Sequence, residues 1–315
     1  MEEKIVVSFI IPAFNEANMI VDTLTQLHKF APKVGYEIII VDNGSTDNTI
    51  ELAQHFGDTV ISCAQGTIAA VRNFGVQVST GRILVFIDAD VKLTQQWQDN
   101  INNTIENIDK NPLLITGSRC SPPENNNTLN THWFNLLVES NSSTYINSGH
   151  LITSKVLFDK ISGFNEELRT AEDHDFCIRA TQAEALISPN ASLKVFHDGY
   201  PTTYAQFIKR ERWHGREDFK SFTSLFNSKI ALIICFHVML FMLSLAIVYL
   251  HGIIAGVSFY ALSMFILTLA LTRYKFNGSP MQSLMKTSLI HYAYIIGRTL
   301  SLVDRLTFRY SSKFR

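Results

Sequence analysis

The chain has 315 residues, with 27 basic and 28 acidic side chains and a formal net charge of −1, which excludes a general polyanion or nucleic-acid binder. Charged residues make up only 17% and the mean hydropathy is +0.10. That is greasy for a soluble protein, and the apolar excess is concentrated after Lys229. The four cysteines, Cys63, Cys120, Cys177 and Cys235, form no CxxC pair and no metal-ligand spacing, so free thiols in a reducing compartment are expected. Met1 to Lys4 has no signal-peptide character, and the apolar run after it is short and ends in a polar motif. The N-terminal region is therefore expected in the cytoplasm.

Four short runs rich in Ile and Val predict strands: Ile5 to Ile11, Glu37 to Val41, the weaker Thr59 to Cys63, and Arg82 to Ile87. Between them Ala17 to Phe30, Asp47 to Phe56 and Thr67 to Val78 have helical length and period. The alternation predicts βαβ units and a largely parallel sheet, with helices on both faces. Ligands of such sheets sit at the carboxyl ends of the strands. Three of the runs end in polar clusters there: Pro12-Ala-Phe-Asn15-Glu16, Asp42-Asn43-Gly44 and Asp88-Ala89-Asp90. Ser121 to Thr128 reads as a loop, mixed structure follows through Tyr200, and Thr203 to Phe219 reads as a helix with basic and aromatic residues.

The 21 residues from Ile230 to Leu250 are almost wholly apolar, and a second apolar stretch follows His251-Gly252 to Leu271. Each approaches the roughly 20 residues that cross a bilayer as a helix, and two such buried core helices would suit a soluble protein poorly. A transmembrane hairpin, about 230–250 and 253–272, is expected. Lys209, Arg210, Arg212, Arg216, Lys220 and Lys229 precede it and Arg273 and Lys275 follow it, while the turn has no Lys or Arg. Both ends are thus placed in the cytoplasm. In the tail, about 281–305, Thr287, His291, Tyr294, Arg298, Ser301 and Arg305 fall on one helical stripe. Leu289, Ile290, Ala293, Ile296, Leu300 and Val303 fall on another. That pattern suits an amphipathic helix in the membrane interface; a third span is the competing reading, with Arg298 against it. The expected division is a catalytic domain over 1–225 and a membrane region over 226–315.

The pair Asp88 and Asp90 ends a buried apolar run. Alternate residues of a strand point the same way, and two such carboxylates suit Mg²⁺ or Mn²⁺ bridged to substrate phosphates. Alone, the pair is equally a solvated turn. Its company points further, because neither glycine-rich phosphate cradle, G-x-x-x-x-G-K or G-x-G-x-x-G, is present at these turns. A bound diphosphate would need a cation to neutralise it. Asp42 can accept from a base N–H, Gly44 permits a tight turn and Asp47 is placed to cap the next helix. A simple strand-to-helix turn is the other reading of 42–44.

In order along the chain stand Phe9-Ile-Ile-Pro-Ala-Phe-Asn-Glu16, Val41-Asp-Asn-Gly-Ser-Thr-Asp47, Ala70-Val-Arg72-Asn73, Asp88-Ala-Asp90 and Ala171-Glu172-Asp173-His-Asp175. Over roughly residues 5 to 220 this set resembles the family 2 glycosyltransferases, which have the GT-A fold, a mostly parallel sheet flanked by helices. The resemblance implies a nucleotide-sugar site of Pro12, Ala13, Asn15, Glu16, Asp42, Asn43, Arg72, Asp88, Ala89 and Asp90. Glu16 would lie near the ribose, Asp42 would hold a uracil-type base, and Arg72 would contact base or diphosphate. Asp88 would approach ribose and donor sugar, and Asp90 would bind the metal with Asp88. His197 sits where many relatives supply a later metal ligand; a lone histidine is otherwise structural.

By the same resemblance Asp173 is the catalytic base, with Glu172 supporting it. Two adjacent acids tend to raise one pKa. Asp175 is the rival base, or else an i,i+4 partner of Arg179. Lys209-Arg-Glu-Arg212-Trp213 resembles the Q-x-x-R-W motif of processive synthases, with Lys209 in place of glutamine, so processive export is not implied. Arg212, Trp213 and Gly149 are candidates for acceptor or diphosphate contact; a basic helix on anionic lipid is the other reading of 209–213. The expected protein is a metal-dependent (Mn²⁺ or Mg²⁺), inverting, multi-pass glycosyltransferase of the cytoplasmic membrane. It would move sugar from a nucleotide donor, UDP-type by preference, to a hydroxyl of a saccharide or lipid-linked acceptor. Membrane lipid is an expected partner and homo-oligomerisation is left open. A polyprenyl-phosphate glycosyltransferase is the alternative; a membrane scaffold and a nucleotidyltransferase stand further off.

Overall fold

The computed structural model describes residues 4–63, 66–124, 127–139, 145–219, 222–276 and 281–307. Lys220 of the basic flank, and Asn125 and Asn126 of the expected loop, lie outside the described residues. The chain forms two compact units, one of Met1–Pro123 with Asn141–Tyr200 and one of Glu124–Ser140 with Pro201–Arg315.

The first unit is built on a seven-stranded sheet. Its strands are β1 (Val7–Ala13), β2 (Tyr36–Asp42), β3 (Thr59–Ser62), β4 (Ile83–Ile87), β6 (Leu114–Gly117), β7 (His150–Ser154) and β8 (Leu186–Pro189), in the order β3-β2-β1-β4-β7-β6-β8. Only the pairings of β7, with β4 and β6, are antiparallel. The first expected strand is displaced: β1 begins at Val7 and runs through Pro12 to Ala13. Pro12 is tolerated at the strand's last residues, where little of the ladder remains to donate to. A short antiparallel pair, β5 (Val91–Leu93) with β9 (Val195–His197), forms a second sheet.

Helices cover both faces. The core on one side joins Phe9 and Ile11 of β1 to Leu24 and Leu27 of α1 (Ile20–Phe30) and to Trp97 and Ile101 of α4 (Gln95–Lys110). On the other side Ile10 and Phe86 pack with α3 (Ile68–Val78), α6 (Lys155–Lys160) and α7 (Glu172–Gln182). Strands buried on both faces have no polar side, which is why their sequences read as unbroken apolar runs. Three of the helices start on side-chain caps: Thr67 accepts from Ala70 N–H at 3.2 Å, Thr94 from Trp97 N–H at 3.2 Å and Ser154 from Leu157 N–H at 2.9 Å. The short α2 (Thr49–Gln54) completes this unit.

Register places the site. Ala13 pairs with Asp42, and Asp42 with Ser62, so β1, β2 and β3 end together. The reversed β7 starts opposite the end of β4, His150 against Ile87. Residues before His150 therefore meet the tip of β4 at the same sheet edge.

The second unit is helical: a π-helical turn (Asn130–Phe134), α5 (Asn135–Glu139), α8 (Tyr204–His214), α9 (Phe222–Asn227), α10 (Lys229–His251), α11 (Ile253–Lys275) and α12 (Met281–Leu306). The single helix expected over 203–219 stops at Gly215, and a 3-10 turn takes Glu217–Phe219. The α8 start is a capping box of Thr203 and Gln206. Trp133, buried, packs edge-on against Phe207, Phe276 and His291.

Both α10 and α11 have 23 residues, about 35 Å at 1.5 Å per residue, long and apolar enough to cross a membrane. They leave Met239, Phe241, Leu245, Ile254, Val257 and Phe265 exposed. In α12 the expected polar stripe turns inward: Thr287, His291 and Ser301 are buried, whereas Leu289 and Val303 are exposed. His291 is bonded there by Thr272 of α11, while Thr287 bonds Ser283 O of its own helix and the buried Ser301 Oγ has no hydrogen-bond partner among the described residues.

Candidate active site

At the tip of β4 the chain turns, with Val91 N–H donating to Asp88 O at 3.0 Å. Asp88 and Asp90 thus lie past the end of the strand, and a turn, not strand alternation, brings them together. The pairing of Val91 with His197 brings the histidine beside them. One ligand atom each of Asp88, Asp90 and His197 lies within 4.8 Å of the others. His197 Nε2 is 3.3 Å from Asp90 Oδ1, and its buried Nδ1 has no hydrogen-bond partner. Burial, with Asp88 and Asp198 nearby, raises the Asp90 pKa against the opposing pull of His197. Such a mixed N/O donor set with a crowded carboxylate fits a divalent cation. The His197 ring lies 5.0 Å from that of Tyr200, whose hydroxyl donates to Cys120 O at 2.8 Å. Gly199 lies close beneath this cluster: a Cβ there would overlap the Asp90 carboxylate as it stands.

From Asp88 a run of contacts leads inward. Arg72, 2% exposed on α3, donates from Nη2 to Asp88 Oδ1 at 2.6 Å and from Nη1 to Glu172 Oε1 at 2.8 Å. Burial works against its charge, but the two carboxylates outweigh it and raise the arginine's pKa. Ser148 Oγ donates to Glu172 Oε1 at 3.1 Å, and Ser148 N–H points to Asp173 Oδ2 at 3.4 Å. Gly149 passes close to Asp88: a Cβ on it would stand 2.9 Å from Asp88 Oδ2. Asp173 is 8% exposed at the start of α7. Burial first, then Glu172, lift its pKa to about 6 against the stabilising N–H of His174, Arg72 and Ser148 N–H. Asp175 points elsewhere, pairing with Arg179 at 2.7 Å, while Arg179 also holds the carbonyls of Ile161 and Gly163.

The loops after β1 and β2 are cross-tied. Asn15 adopts φ 57°; its N–H donates to Ser45 Oγ at 2.9 Å and its Oδ1 accepts from Thr46 N–H at 2.8 Å. Glu16 N–H donates to Thr49 Oγ1 at 2.8 Å, and the Glu16 carboxyl is pushed up to about 7 by burial, then by Asp90, Asp88 and Asp47. Asp42, buried, accepts from the N–H groups of Gly44 and Ser45, so its turn-forming role is realised. Asn43 pairs with both backbone groups of Gly66, at 2.9 and 3.0 Å. Asp47 accepts from Thr49 N–H at 3.0 Å and Ala17 N–H at 3.2 Å. Pro12, Ala13 and Ala89 are buried beside these loops, and Ala89 O accepts from Thr23 Oγ1.

Arg212 and Trp213 belong to the second unit. There Arg212 forms a two-pronged pair with Asp304, at 2.7 and 2.5 Å. Sequence reading passed over Ser148 and His150. The fully buried His150 accepts from Trp97 Nε1–H at 2.9 Å and lies 2.9 Å from Ser118 Oγ. Ser118 Oγ–H in turn reaches Leu193 O. Burial drives the His150 pKa down to about 3, so it is a neutral strut under the loop that carries Ser148 and Gly149.

Residues 8–166 match the Glycosyl transferase family 2 profile. The chain belongs to that family. Among curated relatives it is 40% identical over 106 residues to glycosyltransferase AglE of Haloferax volcanii, covering 31% of this chain and 35% of that one. It is 23% identical over 225 residues to the poly(ribitol-phosphate) beta-glucosyltransferase of Bacillus spizizenii, covering 66% and 35%. The chain thus spans about a third of the length of these relatives. Its fold is similar to that of a mannosyltransferase from Pyrobaculum calidifontis, solved in complex with GDP-Man and Mn²⁺. The TM-score is 0.57 at 14% identity, over 95% of this chain and 86% of that one. None of the four cysteines is in a disulfide.

Proposed function

We propose that this chain is a membrane-anchored, inverting glycosyltransferase that uses a nucleotide-sugar donor and a saccharide hydroxyl acceptor, lipid-linked by preference. One observation carries the reading. The cation-type cluster of Asp88, Asp90 and His197 and the buried Asp173 are joined by hydrogen bonds through Arg72, Glu172 and Ser148. A metal beside a carboxylate base can supply both needs of sugar transfer from a diphosphate, charge stabilisation for the leaving group and a proton acceptor for the acceptor hydroxyl.

In this reading the cross-tied loops after β1 and β2 receive the nucleoside, with Glu16 and Asp42 lining that half. Asp88, Asp90 and His197 would hold Mn²⁺ or Mg²⁺, which supplies positive charge against the departing diphosphate. Asp173, with a pKa near neutrality, takes the proton of the acceptor hydroxyl as its oxygen bonds to the anomeric carbon. The anomeric C–O bond to the diphosphate breaks with its electron pair leaving on the nucleoside diphosphate, so a single displacement inverts the centre. Arg72 is already committed to two carboxylates, which assigns it to holding Asp88 and Glu172 in place.

Residues 1–225 form the catalytic part and 226–315 the membrane part in this proposal. The exposed apolar sides of α10 and α11 and the basic residues on their outer flanks support a hairpin with both ends in the cytoplasm.

The test is a thermal-shift and hydrolysis screen of the full chain against UDP-, GDP- and dTDP-sugars, with and without Mn²⁺. One donor should stabilise the protein only with the cation, by about 2.7 kcal/mol at a hundred times its Kd. Asp90→Asn should remove that dependence with its own melting temperature unchanged. Absence of any metal-dependent shift or hydrolysis across the panel would falsify the enzymatic reading.

A further inference from the structure

We infer that a groove along α7 receives the acceptor, and that it is built for an uncharged saccharide of more than one ring, not for a phosphate or another anion. The inference rests on the glycosyltransferase reading above and narrows it, since it assigns the acceptor a place and a chemical class.

The groove belongs to the sheet unit. It is a cavity of about 390 Å³ lined by Tyr145, His174, Cys177, Ile178, Thr181 and Gln182, a size within the range of small-molecule sites. Five of the six stand on α7 at i, i+3, i+4, i+7 and i+8 from His174 and so share one side of the helix, about 12 Å in length. The remaining sides of α7 are taken. Phe176 and Ala180 pack into the sheet core, and Arg179, paired with Asp175, holds the Ile161 and Gly163 carbonyls. Tyr145 forms the facing wall, its ring edge-on to that of His174 with 5.3 Å between centroids.

One short segment ties this groove to the proposed base. Ile146 N–H donates to Cys177 Sγ at 3.5 Å, and two residues on Ser148 bonds Glu172 and points its N–H at Asp173. Residues 145–148 thus wall the groove at one end and bracket the base at the other. The groove starts at His174, next in the chain to Asp173, and Cys177 on its floor is about one helical turn from that aspartate. Burial first pushes the Cys177 thiol up to about 11, and the Asp173 charge adds to this against the pull of Ile146 N–H. An acceptor lying along α7 presents its near end to Asp173.

Chemistry selects the ligand. Among the described residues no lysine, arginine or carboxylate lines the groove. A phosphate is best held by arginine or lysine donors. A helix N-terminus also attracts anions, but the first turn of α7 carries Glu172, Asp173 and Asp175, whose charge repels one. The groove suits a neutral sugar. Tyr145 and Ile178 offer apolar surface to the C–H face of a ring, and His174, Thr181 and Gln182 offer donors and acceptors to its hydroxyls. In a lipid-linked acceptor the sugar end enters and the phosphate stays outside.

The test is nucleoside diphosphate release by the full chain with Mn²⁺ and the donor that the nucleotide-sugar screen returns. Methyl glycosides of glucose, galactose and N-acetylglucosamine and of their disaccharides are added, or undecaprenyl phosphate in detergent micelles. The glycosides should speed release saturably, the disaccharides at lower KM, and undecaprenyl phosphate should not. Ile178→Trp, which fills the groove from an exposed position, should raise the glycoside KM about tenfold with kcat kept. Gln182→Ala, at the far end, should raise the disaccharide KM more than the monosaccharide KM, and Val156→Trp, exposed on α6, should change neither. Stimulation by undecaprenyl phosphate alone, by no compound, or by glycosides at one KM in wild type, Ile178→Trp and Gln182→Ala would overturn the groove and leave a glycosyltransferase. Absence of metal-dependent release from every donor, with and without each acceptor, would instead overturn the reading beneath it.

Discussion

Each unit contains a buried arginine between two carboxylates, and the contrast between them separates a site from a brace. In the helical unit Arg298 meets Glu211 and Asp218, and beside it Arg212 meets Asp304; these acids and bases are nearly matched. In the sheet unit Arg72 meets Asp88 and Glu172, but Asp90, Asp173 and Glu16 crowd the same edge, with His197 beside Asp90. Negative charge is left over; burial first, and then the neighbouring carboxylates, shift Glu16, Asp90 and Asp173 upward. A matched cluster has settled its charge internally, whereas a surplus awaits a cation and a proton from outside the chain.

The contrast can be broken most forcefully at Asp173. Asp173→Asn should lower sugar transfer by about 10²–10⁴-fold with donor binding and melting temperature preserved; wild-type turnover in this variant would dissolve the distinction. Next comes Arg298→Ala, which strands Glu211 and Asp218. Denaturation of the full chain in detergent should show a loss of about 3–5 kcal/mol and intact metal-dependent donor binding. The proton side is sharpened by a pH profile. Asp173 acts only when ionised, so kcat/KM should fall about tenfold per unit below about pH 6 and level off above it, and Asp173→Asn should erase that inflection. The smallest effect belongs to Arg82→Ala at the exposed pair with Asp109, where about 0–1 kcal/mol is expected in the same denaturation experiment.

The parallel half of the fold was legible because β1, β2 and β4 are buried on both faces and so carry long Ile and Val runs, each ending in a polar cluster. β7 was not legible. His150-Leu-Ile-Thr-Ser154 is short, and its His150 and Thr153 are fully buried only because Trp97, Ser118 and Leu114 O, distant in sequence, hydrogen-bond them. The same limit hid Ser148, whose partners Glu172 and Asp173 lie 24 and 25 residues on. Motif resemblance brought Asp88, Asp90, His197 and Asp173 to attention, and spacing alone would have aimed the two aspartates by strand alternation. The turn at Val91 does so instead. In the tail, exposure does not follow the two stripes: Ile290 and Ala293 of the apolar one are buried and Arg305 of the polar one is exposed, because a stripe carries no label for what lies over it.

The paired loops at Asn15 and Ser45–Thr46 have one more consequence. Because each loop is the other's hydrogen-bonding partner, the walls proposed to face the nucleoside are tied together before any ligand arrives, and little ordering entropy should be lost on association. Thermal expansion or amide exchange would then register the two segments as a single cooperative body. An Asn15→Gly replacement should slacken both at once, weakening nucleotide capture through its off-rate while sparing the chemistry farther along the sheet edge.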